Sequence, residues 1–94
     1  MNNYYLNQKT PKEIDKAIAL RIRSIRKVMK LTQEKLSEKS GVSLGSVKRF
    51  EHTGEISLSS LTKIAIAMEC EHDLESLFSE RPFKSIQEVI DGQD

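Results

Sequence analysis

Residues 31–51 read L-T-Q-E-K-L-S-E-K-S-G-V-S-L-G-S-V-K-R-F-E, and the fold turns on how this stretch is read. Two short helical patterns lie on either side of Gly41. Thr32 is placed to cap the first, with Gln33 and Glu34 in the turn it opens. Leu36 is the inward anchor, and Ser37 is small enough to let another helix approach closely. Gly41 takes the left-handed backbone conformation without steric cost and so closes this helix. Val42 then turns inward, Ser43 caps the next helix, and Val47 with Phe50 forms its buried stripe. Two helices joined by a turn of about three or four residues containing Gly make either a helix-turn-helix or an ordinary hairpin in a small bundle. The spacing of Gln33, Ser37, Gly41, Val42 and Val47 is the register a helix-turn-helix needs.

Upstream, Thr10-Pro11-Lys12-Glu13 starts a helix: Thr caps, Pro takes the first helical position, and Glu completes a capping box. The spacing predicts helix one from there to about Lys30, with Ile14, Ile18, Ile22, Ile25 and Met29 on an inward stripe. Lys16, Arg23, Lys27 and Lys30 lie on the opposite face. Helix two is expected over 33–40 and helix three over 44–52. Helix four follows Ser57 to about Met68, with Leu58, Leu61, Ile64, Ala65 and Met68 inward. Helix five is expected over 73–80, offering Leu74, Leu77 and Phe78 to the same core. Pro82 breaks the pattern, and Ser85-Ile86-Gln87-Glu88 is a second capping box opening a short tail helix. Residues 1–9 have no helical period and read as a flexible arm.

The chain's 94 residues suffice for one domain with a modest core, and 37% hydrophobic with 31% charged residues suits a soluble protein. No apolar run approaches a membrane span, and the first ten residues carry no signal-peptide core. The single Cys70 excludes an internal disulfide framework. Together these features predict a cytoplasmic protein with no membrane partner. A net charge of +1 hides a strong asymmetry: residues 1–49 hold 12 Lys or Arg against 4 Asp or Glu, and residues 50–94 hold 3 against 10. The basic half coincides with the helix-turn-helix, as a phosphate-facing surface requires.

These residues resemble the phage-repressor and Cro type of DNA-binding domain, the xenobiotic-response-element family of bacterial regulators. The resemblance runs from about Ile18 to Phe78 and includes Arg26, the L-T-Q start of helix two, the G-V-S turn and Glu51. Ser37 departs from it, since the family usually has Ala there, and Gly45 is unusual inside a recognition helix. The resemblance implies an all-α fold: a five-helix lambda-repressor-like DNA-binding domain over 10–80, followed by a C-terminal tail over 81–94.

Side chains at the start of a recognition helix, and one turn on, enter the major groove. Here they are Leu44, Gly45, Lys48 and Arg49, and matching family positions contact bases. Lys48 and Arg49 suit guanine O6 and N7, and Leu44 suits a thymine methyl. Gly45 reads nothing and instead leaves room for the backbone to approach DNA. Gln33, at a helix N-terminus that favours anions, resembles the family's clamp on the DNA backbone. Ser43 and Ser46 match further phosphate-contacting positions, with Lys35, His52 and Thr53 nearby; capping and solvation are the simpler roles for the serines. In relatives a pair matching Arg26 and Glu51 forms an ion pair between helix one and the end of helix three.

Enzymatic readings lack their parts: there is no G-x-x-x-x-G-K-[ST] or G-x-G-x-x-G loop, and two isolated histidines face no convincing nucleophile. Glu69-Cys70-Glu71-His72-Asp73 has ligand-type residues but no second Cys or His cluster at ligand spacing, so it reads as an acidic loop. No catalysis, metal or cofactor is expected. The sequence reads best as a sequence-specific transcriptional regulator, a repressor binding double-stranded DNA at a two-fold operator as a homodimer. Leu74, Phe78, Phe83 and Ile86 exceed what a five-helix core needs and are the expected dimer or partner surface. Two alternatives stand beside this reading. One is an antitoxin that autoregulates its operon and holds a toxin protein through Arg81–Ile86, and the other is a protein-binding adaptor that does not read DNA.

Overall fold

A computed structural model of the chain describes residues 8–80; most of the expected arm, and the expected tail helix with Phe83 and Ile86, lie outside the described residues. Among the described residues the protein is all-α, with five helices: α1 Pro11–Val28, α2 Gln33–Ser40, α3 Leu44–Thr53, α4 Leu58–Ala67 and α5 Glu71–Glu75. Each of the first four starts on the hydroxyl residue that the sequence offers. Thr10 accepts from the Glu13 amide at 3.1 Å while the Glu13 carboxylate accepts from the Thr10 amide at 2.9 Å, a complete capping box. These bonds from Thr10 hold the Glu13 carboxyl below its ordinary pKa. Their contribution is therefore present above the usual carboxylate range and lost as pH falls through the lowered value. Thr32, Ser43 and Ser57 accept from the amides of Lys35, Ser46 and Ser60 at 3.0, 3.2 and 3.0 Å.

The helix ends differ in kind. Gly41 and Gly54 close α2 and α3 at φ +77° and +85°. α1 and α4 end instead on Lys30 and Glu69, non-glycine residues at φ +58° and +57°. In both, the amide after the left-handed residue reaches back to a carbonyl five positions upstream, Leu31 to Arg26 at 3.1 Å and Cys70 to Ala65 at 2.9 Å. This double-bonded terminus satisfies the last carbonyls at the cost of a strained residue. It also stops α1 two residues before the expected end at Lys30.

The core comprises Ala19, Leu36, Val42, Val47, Phe50, Ile64, Ala67 and Met68, with Ile18, Ile22, Ile25, Met29, Leu31, Ile56, Leu61 and Cys70 packed around it. α1 lies chiefly against α3, while α2 packs on both α3 and α4. Ala19, absent from the expected stripe, is fully buried; its small side chain lets α1 close on its neighbours. In α1 and α4, two residues placed inward by periodicity are not. Ile14 is 48% exposed, because α3 ends opposite Asp15 and Lys16 and Ile14 lies beyond that end. Leu58 is 68% exposed, as the first residue of α4, where side chains lean toward the helix N-terminus and away from the bundle.

α5 departs most from expectation. It covers Glu71–Glu75 rather than 73–80, and Leu77 and Phe78 are exposed instead of joining the core, with Leu74 half-buried. Cys70 gives the helix no side-chain cap, and the Ser76 and Ser79 hydroxyls bond the carbonyls of His72 and Ser76 at 3.0 and 2.6 Å. Such local bonds compete with helix propagation, and five residues cannot hold a longer helix alone. Phe78 then turns to φ +61°, which ends the pattern.

Gly54 carries a second constraint. A Cβ added there would lie 2.8 Å from the Asp15 carbonyl carbon and the Lys16 amide nitrogen, so the end of α3 rests directly on the α1 backbone. Gly54→Ala should therefore lower stability by more than about 2 kcal/mol in chemical denaturation, combining a left-handed backbone with a steric clash. Glu69→Gly should do the reverse, raising stability by about 1 kcal/mol, because only the strained backbone is relieved.

Candidate nucleic-acid interface

α3 has two faces. Val47, Phe50 and Glu51 are buried, whereas Gly45, Ser46, Lys48, Arg49 and His52 are exposed and Leu44 is half-buried. Because residues four apart share a helix face, Leu44, Lys48 and His52 form one outward row and Gly45 and Arg49 another. The two rows open onto different clefts. Lys48 and His52 line one of about 470 Å³ with Arg23, Arg26, Thr32, Gln33 and Glu51. Arg49 lines the other, with Asp15, Ile18, Phe50, Gly54 and Glu55. Lys48 and Arg49, neighbours in sequence, are therefore about 100° apart around α3 and border different clefts.

What holds α3 at this angle is a buried carboxylate. Glu51 accepts from Arg26 through both oxygens, Nε to Oε2 at 2.7 Å and Nη2 to Oε1 at 2.9 Å. Arg26 and Glu51 are each only 7% exposed. Arg26 also donates Nη1 to the Leu31 carbonyl at 2.8 Å, and Gln33 donates Nε2 to Glu51 Oε1 at 3.1 Å. Arg23 Nε lies 4.0 Å from the same carboxylate oxygen, with its side chain half exposed. One anion thus collects α1, the α1–α2 link, the start of α2 and the end of α3. Paired, bidentate and hydrogen-bonded, it meets the conditions under which an ion pair tolerates burial. No buried side-chain N or O atom among the described residues lacks a hydrogen-bond partner.

The turn between α2 and α3 is closed by side chains as well as by Gly41. Ser37 donates its hydroxyl to the Val42 carbonyl at 2.6 Å, and Ser40 Oγ accepts from the Val42 amide at 3.1 Å. The hydroxyl that sets Ser37 apart from the usual Ala is thus satisfied within the turn.

The phosphate candidates divide by what already engages them. Gln33 is half-buried, with one amide hydrogen committed to Glu51, at the N-terminus of α2 where first-turn amides lack intrahelical partners. Ser43 is tied to Ser46, its hydroxyl donating to Ser46 Oγ at 2.8 Å, and both serines are exposed at the start of α3. Lys35 pairs with exposed Glu38 at 3.4 Å. Thr53 is engaged internally: its hydroxyl donates to the Arg49 carbonyl at 2.8 Å and accepts from the Glu55 amide at 3.1 Å. His52 is exposed on the α3 flank that faces Gln33 and Lys48.

Two residues of this region were not singled out from sequence. Gly54 follows α3 as a C-terminal glycine, a signal the T-G pair at 53–54 does carry. Glu55 has no sequence signature; its carboxylate accepts from Arg49 Nη2 at 3.0 Å only because the turn brings it there. Elsewhere, burial and then the carboxylates of Asp73 and Glu71 push the Cys70 thiol pKa up, keeping it protonated and a poor nucleophile.

This arrangement, a capped helix, a glycine turn and a second helix presenting an exposed basic face, defines a helix-turn-helix domain. A helix-turn-helix family model matches residues 22–74, from the middle of α1 into α5, and spans Arg26, Gln33, Gly41, Glu51 and Gly54. The chain belongs to this family, that of the phage-repressor and Cro-type DNA-binding proteins. It is a family of DNA-binding regulators, not of enzymes. Neither the curated proteins nor the solved structures contain a match to the chain. No helix among the described residues is long and apolar enough to cross a membrane.

Removing one side of the buried pair isolates its role. Glu51→Ala should destabilise the domain by about 3–5 kcal/mol, and the Arg26→Met, Glu51→Leu double variant should recover most of that loss. An unchanged melting temperature in the single variant would contradict it. A methyl group at Gly45 would meet only open space, so Gly45→Ala should raise stability by up to about 1 kcal/mol. If the helix backbone lies against DNA at this point, the same variant should bind duplex more weakly.

Proposed function

We propose that the protein is a sequence-specific transcriptional repressor that binds a two-fold operator as a homodimer. The observation that carries the reading is the exposed Lys48 and Arg49 face on a helix whose orientation is fixed by the buried Arg26–Glu51 pair. Arg49 and Lys48 read guanine edges in the major groove, with Leu44 against a thymine methyl and Gly45 at the point of closest backbone approach. Gln33, Ser43, Ser46, Lys35, His52 and Thr53 make up the phosphate-facing set, Gln33 and His52 bordering the same cleft as Lys48. A phosphate in that cleft would meet Gln33, Lys48, His52 and Arg23 together.

Dimerisation has an energetic logic, since one module reads few base pairs and two linked half-sites combine their affinities. The exposure of Leu77 and of Phe78, at 50% and 76%, supports an apolar contact at this end of the domain, with Leu74 beside it. A toxin held by an antitoxin would use the same end. Sedimentation of the purified protein separates the two: self-association at micromolar concentration supports the homodimer, and a stoichiometric second protein supports the antitoxin.

Selection from random duplexes should yield a site with two inverted half-sites about one helical turn apart. On that site Arg49→Ala should lose about 1–3 kcal/mol and relax preference at one base position. Gln33→Ala should instead weaken selected and random duplexes alike, as removal of a backbone contact does. Equal loss on both duplexes for Arg49→Ala would move that residue to the phosphates.

A further inference from the structure

We infer that Glu55 is a specificity-determining residue, a positioning group that aims the Arg49 guanidinium at base edges and keeps it off the phosphates. The inference rests on the DNA reading above. Arg49 Nη2 donates to Glu55 Oε1 at 3.0 Å, and both side chains are about two-thirds exposed, at 66% and 62%. An ion pair so open to water contributes little to folding, typically below about 1 kcal/mol. Its consequence lies in what it does to the one arginine on the exposed face of α3.

The carboxylate is not on a loose loop. Glu55 directly follows Gly54, which sits against the α1 backbone at Asp15 and Lys16 so closely that no Cβ fits. The Glu55 amide donates to Thr53 Oγ1 at 3.1 Å, and that hydroxyl donates to the Arg49 carbonyl at 2.8 Å. Arg49, Thr53 and Glu55 are therefore joined twice, through the backbone bracket and through the ion pair. Asp15 borders the same cleft, so the Arg49 flank of α3 carries two carboxylates, whereas on the Lys48 flank the one carboxylate, Glu51, is already paired with Arg26, leaving Arg23, Lys48 and His52 beside it.

Two effects follow from this geometry. A guanidinium has five N–H donors in a rigid fork; Glu55 engages Nη2 and fixes the plane while the remaining donors stay free for a base. A neighbouring carboxylate also repels phosphate and offsets the arginine's attraction to it. Phosphate contacts strengthen binding to every sequence equally, so suppressing one raises the ratio of specific to non-specific affinity. The acidic flank therefore makes Arg49 a reader, while the basic flank around Lys48 and His52 anchors.

The test compares binding of the full chain to its selected duplex and to a random duplex of equal length, across a salt series. Glu55→Gln should tighten random-duplex binding several-fold, steepen its salt dependence by about one unit, and cut the selectivity ratio about five- to tenfold. Its melting temperature should stay within a degree or so of the parent, as expected for an exposed pair. In an Arg49→Ala background the same substitution should leave the ratio unmoved, because Glu55 acts through Arg49. A parent that prefers its selected duplex, with a Glu55→Gln ratio equal to the parent's, would overturn the inference alone. A ratio that falls equally in the Arg49→Ala background would overturn it too, marking a general charge effect. A parent with no preference between duplexes would overturn the DNA reading and this inference with it.

Discussion

The Glu51 carboxylate is the point on which the domain's geometry depends. Its oxygens take two bonds from Arg26 and one from Gln33, and Arg26 in turn holds the Leu31 carbonyl. A buried carboxylate is tolerable only when its lone pairs are met, so α1, α2 and α3 must arrive at fixed distances and angles for the chain to fold at all. Replacing such a network with apolar residues often preserves or improves stability, so stability alone does not account for it. Its directional bonds specify one rotation of α3, and with it which side chains face outward. Gln33 links this internal anchor to the surface, since its remaining polar atoms stand at the α2 N-terminus beside Lys48 and His52.

Most of the scaffold could be read from residues whose physics is local. Hydroxyl caps at Thr10, Thr32, Ser43 and Ser57 and glycine at 41 each act within one helical turn, so α1 to α4 begin where sequence places them. Exposure at helix starts was not legible in the same way. Ile14 and Leu58 continue perfectly good apolar stripes, but whether a stripe is covered depends on where the neighbouring helix stops. Ala19 was missed for the opposite reason: a small side chain scores weakly in periodicity, yet it is fully buried. The end of the domain misled most, because Leu74, Leu77 and Phe78 look like a core face while the core is already closed at Met68.

Sequence places the proposed contact residues on α3 and at the start of α2, but not their arrangement in space. Adjacent Lys48 and Arg49 read as one basic pair; the helix's hundred-degree step sets them against different clefts, Arg49 beside Asp15 and Glu55 and Lys48 beside Arg23 and the Arg26–Glu51 pair. Glu55 shows why: it lies outside the motif, six residues after Arg49, and matters only because a left-handed Gly54 turns the chain back beside the helix. The charge asymmetry of the two chain halves is likewise coarse in place. From the acidic half, Glu51 lies within α3 and Glu55 pairs with Arg49 on it, rather than remaining apart from it.

Gly54 pressed against the α1 backbone has a mechanical consequence. With Gly54 seated there and Glu51, about one turn earlier, tied to Arg26, the C-terminal turn of α3 is pinned at two points. A helix fixed at two points resists rolling and sliding, and on the DNA reading proposed above it would not readjust in the major groove to suit an imperfect site. Any mismatch between the protein and a given duplex must then be absorbed by the duplex, through its local bend, twist or groove width. Sequences that deform easily in the required direction would be favoured even at base pairs that no side chain reaches.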